Sequence, residues 1–244
     1  GSDRGAVEDA EGYLLRIGAR LCLEELKAAR RKRETYIGPW LPEPVVETDP
    51  LAGRAAAEEV SVALMLALER LSPLERAAFL LHDVFGAGFE EVAATLGRTP
   101  AAVRQLAARA RAHVQEARPR FPVTPEEASR IAGAFRAAIE TGDAAALGRL
   151  LAEDAVLRTD GGGVVSAAIN PVLGRDRVAR FFAGVARKAR LGRVHEMAWI
   201  NGLPGYVTRF EDGSVQTTAL EVEAGLVRAV YVVRNPAKLR GLLG

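Results

Sequence analysis

A cluster of side chains able to hydrogen-bond to DNA lies between residues 98 and 111. Arginine and glutamine match the guanine and adenine edges that the major groove exposes, and an intervening alanine lets a helix backbone approach closely. Such residues on one helix face predict base contacts, with Thr99 or Arg98 on a phosphate. The predicted set is Arg98, Thr99, Arg104, Gln105, Ala108, Arg109 and Arg111.

Two short helices joined by a tight turn would position these side chains. Apolar residues recur at helical spacing from Phe89 to Leu96, and Gly97 stands where a helix end favours a left-handed residue. Thr99 can cap a second helix, and Pro100 suits its first position. The pattern predicts a helix-turn-helix, with a helical hairpin carrying a solvated arginine face as the alternative. The second helix would bury Val103, Leu106, Ala107, Ala110 and Val114.

The composition of the whole chain is that of a protein with ordinary hydrophobic cores. Its 244 residues, 49% of them hydrophobic, suffice for one or two domains. The net charge is only +2, but residues 98–120 carry six arginines against Glu116 alone, as a nucleic-acid partner would favour. The single cysteine, Cys22, lies in an apolar run, which predicts a buried thiol in a reducing cytoplasm. We expect no membrane span, no metal and no cofactor.

A proline-rich segment follows an N-terminal amphipathic helix that we predict from about residue 10 to residue 33. Its three prolines, Pro39, Pro42 and Pro44, exclude regular helix. Apolar and aromatic side chains also occur here, including Trp40 and Leu41, and exposed groups of this kind need a surface to cover. We therefore expect the segment to be docked and not to act as a passive spacer.

From about residue 119 the pattern changes to helices mixed with strands. Helices are predicted at about 125–140, 143–152 and 174–190, and strands at 155–159, 164–168, 194–201, 205–211, 215–223 and 226–234. Asp212-Gly213 is a strong hairpin signal. This order favours a curved sheet wrapped around helices, an α+β cone.

Two short segments of this second part have alternative interpretations. The run from Asp160 to Gly163 is either a turn that needs positive φ or a loop that contacts a partner; no Gly-Lys-Ser/Thr follows, which excludes a nucleotide P-loop. Asn235-Pro236 is predicted to end the last strand. The residues after it either fray or dock back through Lys238, Leu239 and Leu242.

An enzyme in the cone would need an acid/base pair facing a pocket. His195 and Glu196 are neighbours on a predicted strand and so point to opposite faces, and Tyr231 is more typical of core. We therefore predict no catalytic residues. The candidates weighed are Asp160, His195, Glu196, Tyr206, Arg209 and Tyr231.

Residues 58–115 resemble region 4 of bacterial sigma factors of the extracytoplasmic-function type, through Leu71–Arg76 and Phe89–Ala93. Residues 13–35 look like the last helix of region 2, most of which would then be absent. Three short motifs resemble those of a subgroup in which a SnoaL-like domain follows region 4. They are Trp40–Pro44, Asp160–Gly163 and Asn235–Leu239, with Val164 where the subgroup usually has Lys and Ala237 where it has Asp.

The resemblance implies a multidomain chain with an all-α helix-turn-helix domain before an α+β SnoaL-like cone-shaped barrel. The implied segments are a region 2 remnant at 1–35, a linker at 36–57, region 4 at 58–118 and the SnoaL-like domain at 119–244.

The resemblance also implies a function, that of a cytoplasmic alternative sigma factor. Such a protein would read the minus-35 promoter element, bind the beta-flap and beta-prime subunits of core RNA polymerase, and carry its own regulator. An isomerase or cyclase tethered to a DNA-binding module is the alternative, and a small-molecule ligand of the cone is left open. Regulatory contacts are expected from Trp40, Leu41, Pro42, Glu43, Pro44, Asp160, Gly161, Gly162, Gly163, Asn235, Pro236, Lys238 and Leu239.

Overall fold

The computed structural model describes residues 21–25, 27–28, 36–48, 62–116, 124–188 and 194–242. The chain divides into two compact units. The first comprises Gly1–Thr35 and Leu66–Arg118, and the second comprises Tyr36–Met65 and Pro119–Gly244. The proline-rich segment thus belongs to the same unit as the C-terminal part of the chain.

The first unit is helical, and its helix ends follow from local sequence. Ser72 and Glu75 form a capping box, and Gly97 ends a helix in the left-handed conformation with φ 62°. Thr99 accepts the amide of Ala102 at 3.2 Å, which starts the next helix. The elements are α1 (Val62–Arg70), whose residues from Leu66 onward belong to this unit, α2 (Pro73–Phe79), a π-helical turn (Leu80–Val84), α3 (Phe89–Leu96) and α4 (Pro100–Glu116).

The core of the helical unit forms where α2, α3 and α4 meet, and the helix-turn-helix prediction is confirmed. All five residues predicted for the inner face of α4 are buried. The core cluster is Ala78, Val92, Ala93, Leu96, Val103, Leu106 and Ala107.

The expectation that Cys22 is a core residue is wrong. The segments 21–25 and 27–28 are helical, and Leu23 packs against the core of the helical unit. Cys22 is exposed. Consecutive helical residues are rotated by about 100°, so a helix that presents Leu23 to the core turns Cys22 away from it.

The second unit is an α+β domain with helices α5 (Pro125–Thr141), α6 (Ala144–Leu150) and α7 (Arg175–Lys188). Phe135 of α5 and Phe182 of α7 meet edge to face at 5.4 Å within its core. The strands are β1 (Val46–Glu47), β2 (Leu151–Asp160), β3 (Val172–Leu173), β4 (Val194–Ile200), β5 (Leu203–Arg209), β6 (Val215–Glu223) and β7 (Leu226–Val233).

These strands form one sheet in the order β1-β4-β5-β6-β7-β2-β3. The run from β4 to β7 is the predicted antiparallel meander, whereas β2 pairs with β7 in parallel. β1 comes from the proline-rich segment and adds an edge strand beside β4. The predicted fold class, an all-α domain followed by an α+β domain, is confirmed.

The strand predicted at 164–168 is absent. The carbonyl of Gly161 accepts the amides of Val164 and Val165, which closes a turn at 3.1 and 3.0 Å. The Thr159 hydroxyl bonds to both the amide and the carbonyl of Ala168, so these backbone groups find a side-chain partner in place of a strand ladder. The hairpin partner of β2 is instead β3.

Candidate functional site

Helix α4 presents a polar face opposite its buried one. Arg104, Gln105, Ala108 and Arg109 are exposed, and Arg111 is partly exposed. In the turn before the helix, Arg98 and Thr99 are also exposed. The helix-turn-helix therefore brings all seven predicted DNA-contacting residues to the surface of one turn and one helix.

None of the described helices is long and apolar enough to cross a bilayer.

The exposed arginines of α4 differ in their ion-pair partners. Arg104 makes an ion pair with Glu90 at 3.2 Å, and its guanidinium lies 5.2 Å from the ring centroid of Phe89. The side chains of both ion-pair partners are more than half exposed. Because a solvated pair of this kind contributes little free energy, Arg104 can exchange Glu90 for a base edge at small cost.

Arg109 and Arg111 instead connect α4 to the preceding elements of the helical unit. Arg109 donates to Glu75 at 2.8 Å, and Arg111 donates to Asp83 at 2.8 Å. Burial opposes ionisation of Glu75, but hydrogen bonds from Arg109 and Ser72 outweigh it and hold its pKa below the usual value of 4.5. These two arginines thus brace the helix as well as lying on its outer side.

A second site is centred on the carboxylate of Asp160, which is fully buried. Its Oδ1 accepts the Tyr36 hydroxyl at 2.5 Å and the Gly162 amide at 3.0 Å. Its Oδ2 accepts the Leu41 amide at 2.9 Å and the Lys238 ammonium at 2.7 Å. Four donors, one of them local and three from two distant parts of the sequence, therefore satisfy one carboxylate. We call Tyr36, Leu41, Asp160, Asn235 and Lys238 the Asp160 cluster.

Lys238 ties the proline-rich segment to the C-terminal residues. Its ammonium donates to the Leu41 carbonyl at 2.5 Å and lies 4.3 Å from the ring centroid of Trp40, within cation–π range. Asn235 donates to the Tyr36 hydroxyl at 2.7 Å. Burial, followed by the hydrogen bond to Asp160, raises the pKa of Tyr36, so the hydroxyl remains a donor at neutral pH.

The glycines after Asp160 make room for these contacts. Gly162 has φ +65°, and a Cβ built on it would lie 2.5 Å from the Asn235 side chain. A Cβ on Gly163 would lie 3.0 Å from Ile37, and one on Gly161 would collide with the Val165 carbonyl. The run thus combines a positive-φ turn with close approach to two other segments.

Asn201, which no sequence pattern singles out, makes further hydrogen bonds to the same segment. Its Oδ1 accepts the Val45 amide at 2.6 Å, and its Nδ2 donates to the Glu43 carbonyl at 3.1 Å. The residue is buried and left-handed, with φ 48°. Asn201-Gly202 reads as an ordinary hairpin turn, so the only sequence signal pointed to local structure.

The remaining residues of the three motifs lie around these contacts. Leu41, Pro42, Pro44 and Leu239 are buried, Trp40 is half-buried, and Glu43 and Pro236 are exposed. The last described residues dock and do not fray, since Leu242 packs against the cluster of Ala198, Val207 and Val215.

The six candidate catalytic residues do not meet in one place. Tyr206 is buried and lines a cavity inside the α+β unit, whereas Asp160 belongs to its own cluster. Arg209 donates to the Leu242 carbonyl, Tyr231 donates to Glu221, and Glu196 is exposed. The side chain of His195 lies outside the described residues.

In the part of the chain that the structure describes, no group of three or more His, Cys, Asp or Glu side chains could hold a metal ion.

Comparison with known proteins decides the family. Residues 61–114 match sigma-70 region 4. ECF RNA polymerase sigma factor SigJ of Mycobacterium tuberculosis is 38% identical over 250 residues, which cover 96% of this chain and 80% of that protein. The chain belongs to the ECF RNA polymerase sigma factors. A second relative of this family, probable SigI of the same organism, is 31% identical over 240 residues with the same coverage.

The match to this sigma factor family extends to three dimensions. The crystal structure of the M. tuberculosis extracytoplasmic function sigma factor SigJ superposes with a TM-score of 0.71 at 37% identity, covering 98% of this chain and 85% of that one. The predicted resemblance is therefore confirmed for both parts of the chain: residues 61–114 are sigma region 4, and the C-terminal α+β part is a SnoaL-like domain, as in SigJ.

Proposed function

We propose that this ECF sigma factor directs RNA polymerase to promoters whose minus-35 element is read by α4, and that the SnoaL-like domain is its fused regulator. The observation that carries the first part is the exposed pair Arg104 and Gln105 on the second helix of a helix-turn-helix. This helix places its N-terminal residues against base edges when it enters the major groove.

We expect different side chains of the helix-turn-helix to contact different parts of the DNA. Arg104 and Gln105 would read base edges, Arg98 and Thr99 would hold phosphates, and Ala108 would allow close approach. Arg109 and Arg111 would reach DNA only by leaving the two carboxylates that they now contact. We therefore assign them a smaller share of the discrimination between promoters and a larger share in holding α4.

The partners follow from the family. Region 4 would bind the beta-flap of core RNA polymerase as well as promoter DNA, and region 2 would contact the beta-prime subunit. Because polymerase and promoter are its working partners, we infer that the protein acts in the cytoplasm.

The regulatory role rests on the docked linker. The Asp160 cluster and Asn201 together hold residues 36–45 on the SnoaL-like domain, and this segment would set the reach between regions 2 and 4. Releasing it would take the Tyr36 and Leu41 donors from Asp160 and the Leu41 carbonyl from Lys238. Because leaving a buried polar group unsatisfied costs about 1–3 kcal/mol, and more for a charged one, the linker would be held in one of two states and not in a continuum.

A catalytic role for the SnoaL-like domain has less support. Of the six candidates, Tyr206 alone lines the cavity described above, and one tyrosine does not make an acid/base pair. The homologues are named as sigma factors, which favours the regulatory role over the tethered enzyme.

Selection from a pool of random duplexes tests the promoter-reading role. The chain should enrich one short motif, and fluorescence anisotropy should then show tighter binding to the selected duplex than to single-base mismatches. The R104A variant should lose part of this preference. R180A, at an exposed arginine of the SnoaL-like domain, is its matched control. Enrichment of no motif, or equal affinity for matched and mismatched duplexes, would contradict the proposal.

A further inference from the structure

An aromatic ring lies beside the arginine that we assign to base reading. Phe89 is the first residue of α3, and its ring centroid lies 5.2 Å from the guanidinium carbon of Arg104, within cation–π range. Arg104 also pairs at 3.2 Å with Glu90, the next residue of α3. The start of α3 thus offers the guanidinium two different contacts, a ring and a carboxylate.

Of these two contacts, the one with the ring is compatible with a bound base. Glu90 accepts a hydrogen bond from the Nη2 of Arg104, so it occupies a donor that a guanine edge would need. A guanidinium that lies against a ring keeps its N–H donors in its own plane, where a base edge can still accept from them. Arg104 can therefore leave Glu90 for DNA and remain against Phe89.

The Phe89 ring is itself held by His82. The two ring centroids lie 3.8 Å apart, with an angle of 30° between the ring planes. The Nδ1 of His82 lies 2.8 Å from the Ala87 carbonyl oxygen. Because a carbonyl can only accept, this nitrogen carries the hydrogen and donates it. Phe89 also packs against the core of the helical unit, so its ring has a fixed position next to Arg104.

The π-helical turn determines where His82 lies. The Phe85 amide donates to the Leu80 carbonyl at 3.0 Å, which is a π-helical hydrogen bond, and the Ala87 amide donates to the Leu81 carbonyl at 2.9 Å. Widened turns of this kind are rare and occur frequently at functional sites. Here the turn folds the chain back between α2 and α3, and the His82 ring meets the first residue of α3.

We propose that Phe89, held by His82, is a positioning residue that orients Arg104 toward one base pair of the minus-35 element. A long side chain that is already restrained loses less rotamer freedom when it binds, and the ring supplies this restraint without occupying a donor. The inference rests on the proposed role of α4 in reading promoters. In the sequence, Phe89 shows only the apolar spacing of a core residue.

Anisotropy titrations of the whole chain with the selected duplex and its single-base mismatches test the proposal. R104A first identifies the base pair that Arg104 reads, as the position where discrimination is lost. At that position we expect F89L to lower discrimination about threefold, which is the effect of a cation–π contact at an exposed site. Discrimination at the other positions should stay unchanged. F89Y keeps the ring and should behave like the wild type.

Two controls separate positioning from a general structural role. F85L makes the same substitution at a phenylalanine that is 75% exposed, and it should leave the ratios at all positions unaltered. In the R104A background, F89L should have no further effect at the Arg104 position, because the two side chains act as one unit. A folding defect would instead lower the melting temperature and weaken binding to all duplexes alike.

The proposal is overturned if F89L keeps the wild-type ratio at the Arg104 position, if it lowers the ratios at all positions equally, or if it acts as strongly in the R104A background. It is also overturned if R104A changes no ratio. In each of these cases the wild type still prefers its selected duplex, so the promoter-reading role stands. A wild type that binds matched and mismatched duplexes alike would contradict that role and this inference with it.

Discussion

Arg104 is the arginine of α4 whose present partner is easiest to replace. Its pairing with Glu90 is solvated, whereas Arg109 and Arg111 contact carboxylates that are mostly buried. We expect R104A to lose about 1–3 kcal/mol of discrimination between matched and mismatched duplexes, as for a base-edge contact. Anisotropy titrations of both duplexes measure this difference. An unchanged affinity ratio would remove Arg104 from the base-reading set, and R180A should leave the ratio unaltered.

Gly162 provides a second test at the scale of one residue. G162A would place a methyl group against Asn235 in a left-handed conformation that costs an L-residue about 1–2 kcal/mol. We expect a lower melting temperature for the SnoaL-like domain. The matched control is G184A in α7, where a Cβ meets nothing within 4 Å. There alanine should stabilise the helix by about 0.5–1 kcal/mol. Equal effects of the two substitutions would show that Gly162 is not required by the turn.

At the scale of elements, the linker contacts one buried carboxylate, that of Asp160, through the Tyr36 hydroxyl and the Leu41 amide. D160N keeps the size of the side chain but turns one of its two acceptor oxygens into a donor, so we expect the linker to detach and Trp40 to enter water. The emission maximum of Trp40, recorded in a W199F background, should shift to the red and become more easily quenched. D154N is the control, because Asp154 is an exposed carboxylate of the same strand. A blue-shifted Trp40 in D160N would mean that other contacts hold the linker.

The capping box of α2 predicts a pH dependence of region 4. Glu75 has a lower pKa in the folded state than in the unfolded state, so its stabilisation is present above the usual value of 4.5 and is lost as the pH falls through the folded value. Amide-exchange protection of α2 should therefore fall on acidification. E75Q should have less protection at neutral pH and lose less on acidification, whereas E91Q, at an exposed position, should behave like the wild type. Identical pH profiles for E75Q and wild type would contradict the role of Glu75.

At the scale of the whole molecule, periodicity and caps predicted most of the elements. Gly97, Thr99 and the Ser72–Glu75 box mark real helix ends because their preferences are local. Strands β4 to β7 begin and end within a few residues of the predicted positions. The family resemblance also indicated that Trp40–Pro44, Asp160–Gly163 and Asn235–Leu239 have a common role. Their composition alone would not have linked these three motifs.

Features that depend on distant partners were missed. Asn201 holds backbone groups more than 150 residues away, and its own neighbourhood shows only a hairpin turn. The Tyr36 hydroxyl, which no local pattern singles out, bonds to Asp160 at a separation of 124 residues. The parallel pairing of β2 with β7, which extends β2 back to Leu151, is likewise non-local.

Run-off transcription with core RNA polymerase on genomic fragments tests the central claim most directly, using the protein with any natural residues that precede residue 1. We expect promoter-dependent initiation whose level changes by about fivefold or more in K238A. The matched variant R240A, at an exposed residue of the same tail, should initiate like the wild type. Equal initiation by wild type and K238A would contradict the fused regulator. Absence of promoter-dependent initiation in every form would contradict the assignment as a promoter-directing subunit.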